Sequence, residues 1–332
     1  YDEFGASNAS NRFDGGAGFD TLTYAGTSRG ITIDYTRGAD GEGFGSGGAF
    51  GDKMKNIEVI IGTDHADMFI VDEHAPAFDG GAGHDIADLN GVEYENGRGL
   101  IGVTVSGYND GYIVSNPLAL PSDGFDLFFR NVEEFWGTEQ DDTFIGSDRA
   151  DNFKGAGGRD IFYLTEGADR LDGGDGDDLI FGRDVEVVAI NLAGGWGVNS
   201  EAAVDRYRNI EDVDLSGRDI TIIGNGADND LRAVGEDIRI EAGDGTDIVR
   251  VGGRDIVVDA GDGDDIVVLE TDTRDAEIDG GAGFDILDAT GLQGVTNGFG
   301  RDGYVFDMED GEVRSRQFGA PDDNITLTGI EG

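Results

Sequence analysis

Residues 137–181 decide the fold of this chain. In one-letter code they read GTEQDDTFI, GSDRADNFK, GAGGRDIFY, LTEGADRLD and GGDGDDLIF, which are five segments of nine residues. Each segment has an aspartate at its sixth position and a large apolar residue two positions later. The aspartates are Asp142, Asp151, Asp160, Asp169 and Asp178, and the apolar residues are Phe144, Phe153, Phe162, Leu171 and Ile180. A period of nine fits a short strand plus a tight turn that stacks on copies of itself.

The stacked aspartates require compensation for their charge. Two carboxylates about 4.8 Å apart, the spacing of neighbouring strands, repel each other by roughly 3.5 kcal/mol at an effective dielectric of about 20. The pattern therefore predicts a cation between successive rungs.

The composition narrows the class of partner. The chain has 332 residues and a net charge of −47, from 70 acidic and 23 basic residues. This charge argues against nucleic acid and against insertion into an anionic membrane, and it favours cations. Hydrophobic residues make up 38% in regular periods, which indicates a fold rather than disorder. The chain has no cysteine, so it is not a disulfide-stapled domain.

A second array, from Leu215 to about Asp288, repeats every 18 residues. Its units contain a Gly-x-Asp-Ile segment followed by a glycine-rich turn, as in Gly243-Asp244-Gly245-Thr246-Asp247. Seven apolar residues nine apart predict one interior: Ile222, Leu231, Ile240, Val249, Val258, Val267 and Ala276. Two nonapeptides then make one 18-residue rung with two strands and two turns. Aspartates 18 residues apart share an edge, and we expect fewer ions at the edge that carries the Gly-x-Asp-Ile turns.

Longer segments separate the stacks. Alternating strands such as Ile31-Thr32-Ile33-Asp34 lie within them. A recurring Asn-Ile/Val-Glu motif precedes the next turn, at Asn56-Ile57-Glu58, Asn131-Val132-Glu133 and Asn209-Ile210-Glu211. No helix is indicated anywhere in the chain.

The pattern Gly-Gly-x-Gly-x-Asp-x-apolar-x resembles the repeats-in-toxin (RTX, hemolysin-type) family of calcium-binding nonapeptide repeats in secreted bacterial proteins. The resemblance is clearest at Gly173-Gly174-Asp175-Gly176-Asp177-Asp178. It implies an all-β fold, a parallel β-roll or β-helix solenoid in stacks with inserted β segments. It also implies that the sixth-position aspartates and the turn carbonyls hold several Ca²⁺ ions between rungs, which suits the preference of Ca²⁺ for oxygen ligands.

The ligands that the resemblance implies are transferred by position. The carboxylate ligands would be Asp20, Asp85, Asp142, Asp151, Asp160, Asp169, Asp178, Asp247, Asp265 and Asp285. The carbonyl donors would be Gly174, Gly176, Gly243, Gly245, Gly261, Gly263, Gly281 and Gly283. Gln140 and Arg149 stand where the family has glycine, so the turns before Asp142 and Asp151 depart from the pattern.

The domain organisation follows the same pattern. We expect short calcium-binding turns with an inserted strand segment at 1–90, an inserted β segment at 91–136 and the central nonapeptide β-roll at 137–182. A further inserted β segment follows at 183–214. The second β-roll spans 215–290, and a partial next unit spans 291–332.

The function expected from this reading is that of a calcium-folded structural module, not an enzyme, in a large secreted bacterial protein such as an adhesin, surface-layer, matrix or filament scaffold. The resemblance implies type I secretion and an extracellular or cell-surface location. Copies of the chain itself or a cell-surface polysaccharide are the expected partners besides calcium.

Two alternatives stay open. The chain is an accessory calcium-binding region of a secreted protease, lipase or alginate epimerase, or it is a carbohydrate-binding module that uses Tyr108, Tyr112 and Trp196. His65, His74 and His84 lack the His-Glu-x-x-His spacing of a zinc enzyme.

Overall fold

The structure, a computed structural model, describes residues 2–6, 10–38, 41–92, 94–95, 100–101, 104–108, 111–115, 127–199, 202–291, 304–309, 312–317 and 325–330. Every regular element within these ranges is a β-strand, and most strand pairs are parallel, so the predicted all-β roll is confirmed. None of these residues belongs to a helix long and apolar enough to cross a membrane. The chain divides into an N-terminal unit, Tyr1–Asp177, and a C-terminal unit, Asp178–Gly332.

The described residues of the N-terminal unit form twenty short strands. They are β1 (Glu3–Gly5), β2 (Arg12–Asp14), β3 (Thr21–Thr23), β4 (Ile31–Asp34), β5 (Gly43–Gly47), β6 (Lys53–Lys55), β7 (Val59–Ile61), β8 (Met68–Asp72), β9 (Ala77–Asp79) and β10 (Ile86–Gly91). They continue with β11 (Tyr94–Glu95), β12 (Leu100–Ile101), β13 (Thr104–Tyr108), β14 (Gly111–Ser115), β15 (Leu127–Arg130), β16 (Glu134–Trp136), β17 (Thr143–Ile145), β18 (Asn152–Gly157), β19 (Ile161–Tyr163) and β20 (Arg170–Asp175).

Within its described ranges, the C-terminal unit has twelve strands, several of them long. They are β21 (Leu179–Asn191), β22 (Trp196–Val198), β23 (Val204–Arg208), β24 (Asp212–Ile223), β25 (Asp230–Asp244), β26 (Ile248–Asp262), β27 (Ile266–Leu269), β28 (Arg274–Asp279), β29 (Ile286–Asp288), β30 (Tyr304–Glu309), β31 (Glu312–Gln317) and β32 (Ile325–Thr328).

The predicted 18-residue rung is present in both units. In the N-terminal unit β17 pairs in parallel with β19, which places Phe144 beside Phe162, and β18 pairs with β20 at the same offset. In the C-terminal unit β24, β25 and β26 pair in parallel, so that Val213, Leu231 and Val249 are consecutive neighbours. Two nonapeptides therefore make one rung, as the period predicts.

The core of each roll is the inward face of these rungs. In the N-terminal unit, Phe144 stacks on Phe162 with ring centroids 5.0 Å apart, and Phe153 lies 5.1 Å from Phe144 on the facing strand. In the C-terminal unit, the seven apolar residues predicted to share one interior are all buried, none more than 4% exposed. Burial of these side chains is the main favourable contribution to folding.

One predicted turn in the C-terminal unit is a bend within a continuous strand. The strands β24, β25 and β26 run through the Gly-x-Asp-Ile segments without losing their pairing. Asp219, Asp237 and Asp255 have φ of 54°, 56° and 56°, a left-handed conformation that aspartate tolerates better than most residues. Gly217, Gly235 and Gly253, two residues earlier, also have positive φ, so each corner is made by a glycine and an aspartate, and the ladder continues around it.

The long segments between the stacks form three-stranded antiparallel meanders. The meanders are β4–β5–β6, β13–β14–β15, β21–β22–β23 and β30–β31–β32. Their outer strands pair in parallel with the roll of their own unit: β4 with β8, β6 with β2, β13 with β17, β15 with β9, β21 with β24 and β32 with β28. The insertions thus extend the rungs.

Candidate cation sites at the glycine turns

All ten aspartates predicted as ligands are buried. Their exposed fractions do not exceed 5%: Asp20, Asp85, Asp142, Asp151, Asp160, Asp169, Asp178, Asp247, Asp265 and Asp285. An ionised carboxylate loses hydration when it is buried, and the loss must be offset by hydrogen bonds or by an opposite charge. The question at each turn is which of these compensates the charge.

One oxygen of the stacked aspartates is hydrogen-bonded in a repeating way. The backbone N–H of Asp67 donates to Asp85 Oδ1 at 2.7 Å, across 18 residues. The N–H of Asp247 donates to Asp265 Oδ1 at 2.8 Å in the same manner. Each carboxylate thereby accepts a hydrogen bond from the equivalent residue of the preceding rung, so the aspartates form a vertical ladder along the edge of the roll.

The second oxygen distinguishes two kinds of turn. We name as open turns those at residues 80–85, 242–247 and 260–265, where Oδ2 of Asp85, Asp247 and Asp265 is buried without a hydrogen-bond partner among the residues that the structure describes. Four residues before each aspartate stands a glycine, Gly81, Gly243 or Gly261. Their φ values are 97°, 116° and 103°, respectively. Gly16, Ala156, Gly174 and Gly281 stand four residues before the other predicted ligands Asp20, Asp160, Asp178 and Asp285, and they also have positive φ.

Burial and like charge act together at the open turns. Desolvation, followed by the charges of Asp67 and Glu133, raises the pKa of Asp85 to about 7 against the opposing backbone hydrogen bond from Asp67. Desolvation is also the largest cause that raises the pKa of Asp247 to about 6. These carboxylates therefore hold their negative charge less readily than an exposed aspartate does.

In the closed turns, the residue four positions before the ladder side chain donates a hydrogen bond to it from its backbone N–H, its hydroxyl or both. We use this name for the turns at residues 62–67, 137–142, 146–151, 164–169 and 224–229. In the turn at 137–142, the Thr138 N–H donates to Asp142 Oδ2 at 2.6 Å and its hydroxyl donates to Asp142 Oδ1 at 3.1 Å. Ser147 binds Asp151 in the same way.

The other closed turns follow the same chemistry. Thr63 donates its N–H and hydroxyl to Asp67, and the Thr165 hydroxyl donates to Asp169. In the turn at 224–229 the acid itself is replaced, and the Asn225 N–H donates to Asn229 Oδ1 at 3.0 Å. Three predicted ligands, Asp142, Asp151 and Asp169, thus lie in closed turns.

Asp151 has one more partner, which bears on the carbohydrate alternative. The Tyr112 hydroxyl donates a hydrogen bond to Asp151, and its ring centroid lies 4.6 Å from that of Phe135. The half-buried Tyr112 side chain is thus engaged by Asp151 through its hydroxyl and by Phe135 through its ring. Trp196 lies in β22 and is half-buried, whereas the side chain of Tyr108 is outside the described residues.

The glycines predicted as carbonyl donors stack closely on the equivalent residues of neighbouring rungs. Gly243, Gly245, Gly261 and Gly263 all have positive φ. A Cβ at any of them would come closer than 3.0 Å to the backbone oxygen of the equivalent residue one rung earlier, and the same holds at Gly174, Gly176, Gly281 and Gly283. Only glycine fits this stacking. The carbonyl oxygens therefore follow one another up the edge beside the aspartates.

A second set of acids, which the sequence analysis did not assign, belongs to the same ladder. Glu58 Oε2 accepts the N–H of Asp20 at 2.6 Å, and Glu133 Oε2 accepts the N–H of Asp85 at 2.8 Å. Glu211 Oε2 accepts the N–H of Asp178 at 3.2 Å. The sequence contained a signal for them, because Glu133 precedes Asp142 by nine residues and is in phase with the aspartates.

The opposite edge of the C-terminal unit carries ion pairs. Glu236 lies 3.2 Å from the Arg218 guanidinium and also pairs with Arg254. These side chains line an open groove of about 550 Å³ along the Gly-x-Asp-Ile bends. Arginine thus compensates the acidic charge at this edge.

One compact group outside the ladder offers three possible metal ligands. The ligand atoms of Asp72, Glu73 and His74 lie within 4.8 Å of one another on a partly exposed loop. His84, in contrast, is engaged by Glu134 Oε2 at 3.0 Å. Neither arrangement contains a buried oxygen without a partner comparable to those of the open turns.

A scan against models of protein families gives no match for this chain, and neither does a search of curated proteins.

Proposed function

We propose that this chain is a calcium-folded structural module in which Ca²⁺ bridges successive rungs at the open turns. The observation that carries the proposal is the buried Oδ2 atom of Asp85, Asp247 and Asp265, for which the described part of the chain provides no hydrogen-bond partner. An oxygen of this kind, beside stacked glycine carbonyls, is chemically suited to a hard cation. Calcium is favoured because it takes about six to eight oxygen ligands in flexible geometries.

The proposed mechanism couples cation binding to folding. Without a cation, the raised pKa of Asp85 and Asp247 reflects the cost of holding charge in a dry, acidic ladder. A bound Ca²⁺ lowers that cost, and it requires neighbouring rungs that exist only in the folded chain. A site at one hundred times its dissociation constant stabilises the fold by about 2.7 kcal/mol. Several sites together would decide whether the roll forms.

This mechanism, with the resemblance of the repeats to the RTX family, supports a biological proposal. The module belongs to a large secreted bacterial protein, such as an adhesin or a surface-layer, matrix or filament scaffold, and folds in the calcium-rich space outside the cell. The proposed role is structural and not enzymatic, with calcium, copies of the chain or a surface polysaccharide as partners. A strictly monomeric protein in millimolar calcium would refute the assembly of copies.

A calcium titration tests the central claim. In excess chelator the metal-free protein should show weaker β circular dichroism and melt at a much lower temperature, and Ca²⁺ should restore both. Mg²⁺ is the control, because it prefers rigid octahedral sites and retains its water, so it should restore little. Equal melting temperatures in chelator and in calcium, with no heat of calcium binding, would overturn the proposal.

A further inference from the structure

The Asn-Ile/Val-Glu motif lies where each inserted meander returns to the roll. Asn56, Asn131 and Asn209 follow β6, β15 and β23 directly. Their φ values are 52°, 50° and 49°, a left-handed conformation for which asparagine is enriched. The motif thus turns the chain from an antiparallel hairpin back into the parallel stack.

The glutamate of the motif occupies the position of a ladder aspartate. Because Thr21 pairs with Val59, Glu58 stands opposite Asp20. Because Ile86 pairs with Glu134, Glu133 stands opposite Asp85. In an uninterrupted rung the aspartate N–H donates to the aspartate 18 residues later, as Asp247 donates to Asp265. At the end of an insertion the N–H donates to the glutamate instead.

The arrangement around Asp85 brings several oxygens together. Asp85 Oδ2 is buried and has no hydrogen-bond partner within the described ranges. This atom and the Asn131 carbonyl oxygen both lie closer than 3.0 Å to the point where a Cβ on Gly80 would stand. Glu133 binds the Asp85 N–H through Oε2, and the structure records no hydrogen bond to Glu133 Oε1 among the described residues.

We infer that Glu58, Glu133 and Glu211 are calcium ligands that complete the ladder where an insertion interrupts it. This inference rests on the proposed function, because it assumes that the open turns bind Ca²⁺. The segment after Asp85 has no Gly-Gly-x-Gly-x-Asp turn before Glu133, and among the described residues Glu133 is the acid that stands opposite Asp85. The longer glutamate side chain supplies the second carboxylate. The asparagine carbonyl oxygen takes the place of the glycine carbonyl oxygen that a Gly-Gly-x-Gly-x-Asp turn would provide.

A charge-neutral substitution separates this role from that of a hydrogen-bond acceptor. Glu133→Gln retains an oxygen that accepts the Asp85 N–H, but it removes the charge that a calcium ligand provides. Glu166→Gln is the matched control, because Glu166 is an exposed acid in the same unit at a closed turn. Bound calcium is counted by equilibrium dialysis, affinity is measured by calorimetry, and folding is checked by circular dichroism in calcium. Glu58→Gln and Glu211→Gln are measured in parallel.

We expect Glu133→Gln to bind one calcium ion fewer than the wild type, or to bind one ion with an affinity reduced at least about tenfold. The reason is that the number of charged ligands sets the affinity for calcium. Glu166→Gln should match the wild type. Failure of the wild-type protein to bind calcium would overturn the proposed function itself. If the wild type binds calcium and all three glutamine variants retain its stoichiometry and affinity, the inference is wrong and the glutamates are acceptors only.

Discussion

The open turn at residues 80–85 and the closed turn at residues 137–142 place an aspartate at the same point of the rung and compensate its charge differently. In the closed turn, Thr138 donates both its N–H and its hydroxyl to Asp142. In the open turn, Gly81 has positive φ, and no described residue donates a hydrogen bond to Asp85 Oδ2. The residue four positions before the aspartate therefore decides whether the chain satisfies the carboxylate by itself.

This difference has a consequence for the count of ions. A nonapeptide repeat with an aspartate in each turn does not need a cation in each turn. Asp142 and Asp151 already have hydrogen bonds to Oδ1 and Oδ2 from side-chain and backbone donors. We therefore centre the calcium proposal on the open turns, while the predicted ligand role of Asp142, Asp151 and Asp169 stays a prediction. The experiments below separate the two kinds of turn.

The largest effect should be that of pH on the calcium-free protein, because several open turns respond together. Asp85 and Asp247 have folded-state pKa values of about 7 and about 6, above the ordinary 3.8. A raised folded-state pKa contributes stability that is fully present below the unfolded-state value and is lost as the pH rises through the folded-state value. In chelator, the protein should therefore melt at a higher temperature at about pH 5 than at about pH 8.

Saturating calcium is the control for this pH dependence. The ion takes the place of the proton, so acidification should raise the calcium concentration needed for folding and should not stabilise the protein. If the calcium-free protein in chelator loses stability steadily from about pH 8 to about pH 5, the buried aspartates do not repel one another in the way described here.

The next effect is that of Asp265→Asn. Asparagine retains an oxygen for the Asp247 N–H but removes the charge and one ligand oxygen, so the variant should lose at least one calcium ion. It should also lose about 2.7 kcal/mol of unfolding free energy when calcium is at one hundred times the dissociation constant. Calcium counting and urea unfolding, each with and without chelator, measure the two losses.

Asp142→Asn is the matched variant in a closed turn. Its new amide group faces the donors of Thr138, so it should destabilise the fold equally in calcium and in chelator while the calcium count stays that of the wild type. If both variants lose an ion, the distinction between open and closed turns fails.

A smaller effect is expected from Thr138→Val, which removes the hydroxyl at nearly constant shape. Asp142 is 1% exposed, so the loss of this donor should cost about 1–3 kcal/mol in urea unfolding, with or without calcium. Thr143→Val is the control, because Thr143 lies on the adjacent strand β17 and no hydrogen bond of its hydroxyl is recorded in the structure. A cost that appears only in calcium would show that Thr138 supports an ion.

Much of the roll could be predicted because its period is local. The spacing between Asp142 and Phe144 is repeated in every nonapeptide, and the 18-residue rung follows from two such segments. The meanders could not be predicted in the same way, because the pairing of β4 with β8 or of β13 with β17 joins residues far apart in sequence. Their alternating strands were recognisable, but their partners were not.

The burial of the candidate ligands was predictable in part. The sixth position identified the ladder aspartates, and all ten are buried. The difference between the two kinds of turn is also visible in the sequence, which has glycine at position 81 and threonine at position 138. The structural consequence of these two residues depends on the backbone conformation, since the sign of φ decides where the N–H points. The motif of Glu133 contains no glycine, so the repeat pattern does not identify Glu133 as a member of the acidic ladder. Its distance of nine residues from Asp142 is nevertheless the period of the repeat.

The smallest effect should come from Arg254→Gln at the opposite edge of the C-terminal unit. Arg254 pairs with Glu236 in solvent, and this pairing holds the pKa of Glu236 below its usual value through the hydrogen bond from Arg254. Exposed ion pairs contribute little and are screened by salt. The variant should therefore keep the wild-type calcium count and shift the melting temperature slightly at low salt only. Arg274→Gln is the control, because Arg274 lines the same groove and no ion pair is recorded for it among the described residues. A loss of bound calcium in Arg254→Gln would mean that the arginine edge and the aspartate edge are not independent. Removal of the Arg254 charge at one edge would then disturb the calcium ions at the other.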